Sequence, residues 1–213
     1  MKNNRKNTRI RNIIATHIIN NKKEYIIVLL LFIIGLFLGV LFINNVQEEQ
    51  YNNISQYITS FVDKLKSMES IDSISLLKTS LLQNVVLALA LWFFGTTVIG
   101  IPIVFGIILY RGFCLGYTIS ACISILGVSK GLAFILSTLL LQNLILIPAI
   151  LAIGVSGFKL YKSIVKDRKK ENIKLEIVRH TIFSGLMTIF LVISSLIEVF
   201  ISNNLLKIIV NYF

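Results

Sequence analysis

Side chains that could perform chemistry are few in this sequence and lie far apart. The two histidines, His17 and His180, have no nearby group of cysteines or carboxylates, which a metal site or an acid–base pair would require. Phosphate-binding glycine loops and zinc-binding HExxH patterns do not occur in the chain. The many serines have no histidine and acidic residue in the same run. We therefore predict a protein that is not an enzyme and that carries no cofactor and no metal.

Polar side chains inside apolar runs are the remaining candidates. Gln142 and Asn143 precede Pro148 in one such run, and amides surrounded by lipid must find hydrogen-bond partners. They could bridge helices, satisfy carbonyls that Pro148 leaves free, or contact a transported substrate. Arg111 and Glu198 are charges in similar surroundings, and a charge at the bilayer centre costs about 2.5–3.5 kcal/mol. The positions of the helices decide which of these roles each group can have.

The composition is that of a membrane protein. Of the 213 residues, 55% are hydrophobic and 15% are charged, which leaves too little polar surface to cover a soluble core. The net charge of +11 comes from basic residues beside the apolar runs, with seven in residues 1–23 and eight in residues 159–179. This clustering is typical of cytoplasmic loops that contact anionic lipid. The basic residues are not interleaved with aromatic ones as in nucleic-acid-binding motifs, so the sequence gives no indication of nucleic-acid binding.

The order of apolar and polar runs predicts an all-α fold, a polytopic membrane helix bundle in a single domain, residues 1–213. About five transmembrane helices are expected from the lengths of the apolar runs, with amphipathic interfacial helices beside them. The predicted spans are 26–43, 85–108, 112–127, 131–155 and 182–201. The predicted polar segments are 1–24, 44–83, 157–180 and 202–213.

Orientation follows from the lysine and arginine bias. The basic segments 1–24 and 157–180 are expected in the cytoplasm, with the 44–83 loop and the C-terminal tail outside. Arg111 then falls in the inner turn between the second and third spans, where its head can reach lipid phosphates. Glu198 lies towards the outer face, so Lys130 is a better-placed partner for it than Arg111. If the third span instead began near Pro102, Arg111 would be drawn into the bundle.

Glycine spacing indicates close helix packing. Gly112 and Gly116 share a helix face, downstream of a predicted kink at Gly100–Pro102, so the second and third spans are expected to approach closely. Gly35 and Gly39 have the same spacing in the first span. The sequence also allows self-association through such glycines.

Apolar residues at three-four spacing predict an amphipathic helix over residues 51–68. This helix could lie on the outer leaflet or cap the bundle. Alternatively, it could present Ile58, Phe61 and Leu65 to an extracytoplasmic partner.

Three blocks in order resemble the stage II sporulation protein M family: GIPIVFGIILYRGFCLGYTIS, LLLQNLILIPAILAIG and SSLIEVFISNNLLK. The resemblance carries over to Gly100, Pro102, Arg111, Gly112, Gly116, Gln142, Asn143, Pro148 and Glu198. It implies a multi-pass protein of endospore-forming bacteria that acts in engulfment at the mother-cell septal membrane. It also implies a complex with two peptidoglycan-degrading proteins, stage II sporulation proteins D and P, and no active site in this chain.

Two functions are compatible with these observations. The first is a non-enzymatic scaffold that anchors and localises the peptidoglycan-degrading partners during engulfment. The alternative is a transporter or channel component with a polar site around the second to fourth spans, because broken helices and midplane polar groups build transporter sites.

Overall fold

The computed structural model describes residues 16–66, 73–165 and 172–202, and these residues are helical apart from short turns. The helices are α1 (Lys22–Asn44), α2 (Glu48–Lys66), α3 (Ser73–Gly95), α4 (Ile101–Leu126), α5 (Val128–Ile135), α6 (Leu141–Val165) and α7 (Ile173–Ile197). A π-helical turn at Leu136–Leu140 joins α5 to α6, and a second one at Glu198–Ser202 extends α7.

Five helical stretches in the described ranges are long and apolar enough to cross a membrane. They are α1, α3, α4, the continuous α5–α6 unit, and α7 with its π turn. The predicted all-α, multi-pass fold with five spans is thereby confirmed. Most of the predicted N-terminal segment (residues 1–15) and nearly all of the predicted tail (203–213) lie outside the described residues.

The break between the second and third spans lies at residues 96–100, not at Arg111. Pro102 occupies the first turn of α4, where its missing N–H costs no hydrogen bond. The Thr97 hydroxyl accepts the Gly100 N–H at 3.1 Å, just before α4 begins. The predicted kink is therefore the start of a helix, and Arg111 lies inside the third span. The second span begins as early as Ser73.

Helices α6 and α7 both extend into the predicted 157–180 loop. Lys162 has partners there: its Nζ lies 2.7 Å from Glu24 Oε1 and 4.8 Å from the centroid of the Phe158 ring. Long basic side chains can pack their stems on apolar surface while the charged head remains at the polar boundary. The helices therefore continue beyond the strictly apolar runs that define the predicted spans.

Helices α1 and α4 form the most extensive interface between elements of the bundle. Gly35 of α1 lies against the carbonyl group of Leu109, and Gly39 lies against that of Phe113, so the two helices run parallel. A Cβ atom at either glycine would overlap the facing carbonyl oxygen. This close approach is the packing that small residues at four-residue spacing allow in membrane helices.

The glycines of α4 complete the same interface from the other side. Gly112 lies against the carbonyl oxygen of Phe32, and Gly116 lies against that of Leu36. We call Gly35, Gly39, Gly112 and Gly116 the glycine seam. The prediction that Gly112 and Gly116 bring the second and third spans together is wrong, since they face the first span. The rotation of α4 about its axis decides this, and glycine spacing carries no information about it.

Helix α2 lies across the end of the bundle where α4 ends. The Tyr51 hydroxyl donates to the carbonyl oxygen of Ser124 at 3.3 Å, and Val62 is buried in a small apolar cluster with Cys122 and Phe134. The apolar stripe of α2 thus covers part of the bundle, as one of the predicted alternatives has it.

The main core is formed by α1, α3, α4, α6 and α7. Its fully buried side chains interlock where the five helices meet: Val28, Leu91, Val104, Ile108, Ile150, Ile153, Val155 and Leu191. This arrangement brings polar residues of α3, α6 and α7 to the same depth.

Candidate functional site

A polar cluster joins α3, α6 and α7 inside the bundle. The Glu198 carboxylate accepts hydrogen bonds from the Ser80 hydroxyl and, at 2.7 Å, from Gln142 Nε2. Asn84 Nδ2 donates to the Ser195 hydroxyl at 2.8 Å. Lipid cannot hydrogen-bond these groups, so the cluster holds the three helices in one arrangement.

Both π-helical turns occur at this cluster. The Leu136–Leu140 turn comes just before Gln142, and the Glu198–Ser202 turn begins at the carboxylate itself. The Ser194 hydroxyl also donates to the Gln142 carbonyl oxygen at 3.1 Å. Single π turns are rare and occur frequently at functional sites. Here the turns flank the two side chains that meet.

The two amides of α6 have different roles. Gln142 bridges helices, as one alternative predicts. Asn143 Nδ2 donates to the carbonyl oxygen of Leu139 at 2.8 Å, within its own helix. That carbonyl belongs to the π turn, so Asn143 does not satisfy a carbonyl freed by Pro148.

Arg111 lines a cavity of about 220 Å³ together with Glu198. Gln83, Cys114, Thr118, Gln142 and Asn143 line the same cavity. Among the described residues, no ion pair within 4.0 Å joins Arg111 to Glu198. The predicted interfacial turn at Arg111 is wrong, because α4 begins ten residues earlier, at Ile101. The alternative, in which Arg111 is drawn into the bundle, is the observed one.

Lys130 is not the partner that the structure gives to Glu198. Lys130 lies in the first turn of α5. It is therefore distant, along the continuous α5–α6 helix, from Gln142, which contacts Glu198. None of the ion pairs between described residues joins Lys130 to Glu198. The carboxylate is instead satisfied by neutral donors.

A second polar cluster lies at the opposite end of the bundle from α2. Glu176 is 4% exposed and pairs with Lys159 Nζ at 3.4 Å and with Arg179 Nη1. Next to it, His180 Nδ1 and the Ser156 hydroxyl share a hydrogen bond of 2.9 Å. Sequence reasoning missed this cluster because it assigned these residues to a loop. The spacing of Glu176, Arg179 and His180 is the signal that could have revealed it, since residues three and four apart share a helix face.

His17 lies beside this second cluster. Its ring stacks on Phe183 with centroids 4.0 Å apart, and its Nδ1 shares a hydrogen bond of 3.2 Å with the Tyr25 hydroxyl. Burial lowers the pKa of His17 to about 4, and the positive charge of Lys159 and the neighbouring His180 add to this effect. His17 is therefore neutral near pH 7, and the charge in this region comes from Lys159, Arg179 and Glu176.

Within the described ranges, no group of three His, Cys, Asp or Glu side chains lies together as metal ligands would. The cysteines Cys114 and Cys122 are free thiols. The described polar groups cross-link helices and line the cavity beside Glu198.

A match to a protein-family profile decides to which family the chain belongs. The profile described as stage II sporulation protein M matches residues 28–203, from α1 to the π turn that follows α7. The chain belongs to the stage II sporulation protein M family. It is therefore a multi-pass membrane protein of a sporulation family that is not known for enzymatic activity. Neither the curated proteins nor the solved structures compared with the chain match it.

The residues carried over from the stage II sporulation protein M family fall into four structural groups. Gly100 and Pro102 start α4, Gly112 and Gly116 belong to the glycine seam, Arg111, Gln142, Asn143 and Glu198 line one cavity, and Pro148 lies within α6. The first three groups have a local structural reason for their residue types.

Proposed function

We propose that this member of the stage II sporulation protein M family is a non-enzymatic scaffold in the mother-cell membrane. It would anchor and localise stage II sporulation proteins D and P, the peptidoglycan-degrading partners that the family resemblance implies, during engulfment. The observation that carries the proposal is α2, which rests on one end of the bundle and still presents aromatic side chains outward. Tyr57 is 76% exposed and Phe61 is 38% exposed. Exposed aromatic residues are frequent anchors of protein interfaces.

The contacts of α2 reduce the set of residues that could form the predicted docking face. Ile58 packs on the apolar cluster that holds α2 to the bundle, so a charge there would detach the helix itself. Phe61 keeps an edge contact with Phe134, at 6.3 Å between ring centroids, and 38% of its surface is exposed. The side chain of Leu65 lies outside those that the structure describes. We therefore assign the docking face to Tyr57 and Phe61.

The scaffold function requires α2 to lie on the extracytoplasmic side of the membrane. The basic side chains of α6 and α7, Lys159, Lys162 and Arg179, lie at the other end of the bundle, and the positive-inside rule favours that end in the cytoplasm. Alkaline phosphatase fused after Ser60 should be active, and the same enzyme fused after residue 170 should be inactive. The opposite pattern would place α2 in the cytoplasm and remove the docking face from its partners.

Charging the docking face should abolish recruitment without unfolding the protein. We expect Tyr57→Glu/Phe61→Glu to reduce septal localisation of both tagged partners by roughly tenfold or more, because a buried aromatic anchor commonly contributes over 1 kcal/mol to binding. Asn53→Glu/Gln56→Glu is the matched control, since it adds the same charge at exposed polar positions of α2. Equal membrane levels must be verified by immunoblot. Normal localisation of both partners with the first variant would contradict this docking face.

The 220 Å³ cavity favours one second candidate, a transporter or channel component. Arg111, Glu198 and Gln142 line it at the depth of the spans, which is where secondary transporters hold polar substrates. Ion or small-solute flux into liposomes that contain the purified protein, lost in Gln142→Leu, would support transport. The absence of flux above that of empty liposomes would leave the scaffold as the better function.

A further inference from the structure

One large cavity in the described part of the chain lies at the basic end of the bundle. It has a volume of about 710 Å³. Three walls enclose it: residues 16–21 before α1, the second half of α6, and the first half of α7. It is separate from both the docking face of α2 and the cavity at Glu198.

The polarity of this cavity changes along α7. Glu176 and Arg179 line its outer part, while Ile182, Phe183 and Leu186 line its inner part. At 1.5 Å per residue, these positions extend over about 15 Å from the end of the helix into the span. Ile182 is 69% exposed, so the apolar part opens sideways, towards the acyl chains of a surrounding bilayer.

The polar part favours an anion. Lys159 and Arg179 share one carboxylate, that of Glu176, so the group keeps one net positive charge. Both basic side chains remain partly exposed, at 38% and 60%, whereas Glu176 is almost wholly buried. A ligand therefore meets the cations first. The neutral ring of His17 adds no charge at this wall.

We propose that this cavity binds one anionic glycerophospholipid, with its phosphate near Lys159 and Arg179 and an acyl chain along Ile182, Phe183 and Leu186. Polar donors at the end of the helices followed by apolar side chains at greater depth match a phospholipid, which carries its charge and its hydrocarbon in the same order. Basic pockets between helices on the cytoplasmic side are known to hold anionic headgroups. The inference does not depend on the scaffold function.

Native mass spectrometry of the purified full chain, with equimolar phosphatidylglycerol and phosphatidylcholine added, tests the proposal. We expect one phosphatidylglycerol per chain, preferred roughly tenfold over phosphatidylcholine. Lys159→Gln should remove most of this preference while Arg179 keeps Glu176 paired. Lys22→Gln, an exposed lysine at the same end that does not line the cavity, should leave the preference unchanged.

A second pair of variants tests the apolar part. Leu186→Trp fills the inner half of the cavity and should abolish retention of the lipid, with the ion cluster intact. Ile189→Trp adds the same bulk on an exposed position of α7 outside the cavity and should retain it. The proposal fails if the unaltered chain shows no preference for phosphatidylglycerol, or if Leu186→Trp binds it normally. Equal competition by soluble glycerol phosphate would assign the cavity to a free phosphate ligand instead and would also overturn it.

Discussion

Gly116→Ala is expected to destabilise the folded bundle by about 3 kcal/mol, at the upper end of the range for overpacking. The added methyl group would overlap the carbonyl oxygen of Leu36. That oxygen belongs to the backbone of α1 and cannot rotate away, so α1 and α4 must separate along the whole interface. Equilibrium unfolding of the purified protein in mixed micelles, followed by circular dichroism, measures the loss.

Gly106→Ala is the matched control for the glycine seam. Gly106 lies in the same helix, but nothing is within 4 Å of the position that its Cβ would take. Since alanine is favoured over glycine inside a helix by up to about 1 kcal/mol, this variant should be neutral or slightly more stable. If the two variants lost stability equally, the effect would lie in α4 alone and not in its contact with α1.

Glu198→Ala is expected to lower the free energy of unfolding by about 1–3 kcal/mol, the cost of leaving a buried donor and a partly buried donor without an acceptor. The Gln142 amide and the Ser80 hydroxyl both lose their acceptor, and lipid cannot replace it. Glu198→Gln keeps an oxygen for one donor and should cost less. Asp63→Ala, which removes an exposed carboxylate of α2 outside its first turn, is the control and should leave the stability unchanged. Unfolding of Glu198→Ala at the same denaturant concentration as the unaltered chain would contradict the role of the cluster.

Arg111 offers an independent test of the same cavity. It lines the cavity with Glu198 but forms no direct ion pair with it. Without the carboxylate, the guanidinium would be the one charge among the cavity-lining residues. Arg111→Met combined with Glu198→Gln should therefore cost less than the sum of the two single variants. Simple additivity in the same unfolding experiment would show that the two charges do not interact through the cavity.

Hydropathy placed the chain in its class but misplaced the break between the second and third spans. The charge of Arg111 interrupts an apolar run. Transfer free energies alone therefore predict a turn at this position. The helix instead breaks at residues 96–100. Pro102 lies in the first turn of the next helix, and the Thr97 hydroxyl accepts the Gly100 N–H just before that helix begins. Helix-start chemistry was visible in the GIP tripeptide, and it outweighs the charge because Arg111 can face a polar cavity.

The candidate site was half visible in the sequence. Gln142 and Glu198 stand out as polar groups in apolar runs. Their neighbours Ser80 and Asn84 do not, because they lie at or beside the polar segment that precedes the second predicted span. Glu176 was hidden in the same way within a basic segment.

Composition and run length are local properties, and each span contributes its own transfer free energy. They suffice to establish five membrane-length helices, an amphipathic helix between the first two, and the absence of recognised catalytic motifs. The pairing of Glu198 with Ser80, the burial of Glu176 and the meeting of α1 with α4 depend on how helices from distant segments rotate and slide against each other. Several faces of each helix are apolar enough to be buried, so those contacts come from mutual packing: Gly116 could have faced any neighbour and fits against Leu36 because the backbones there approach without side chains between them.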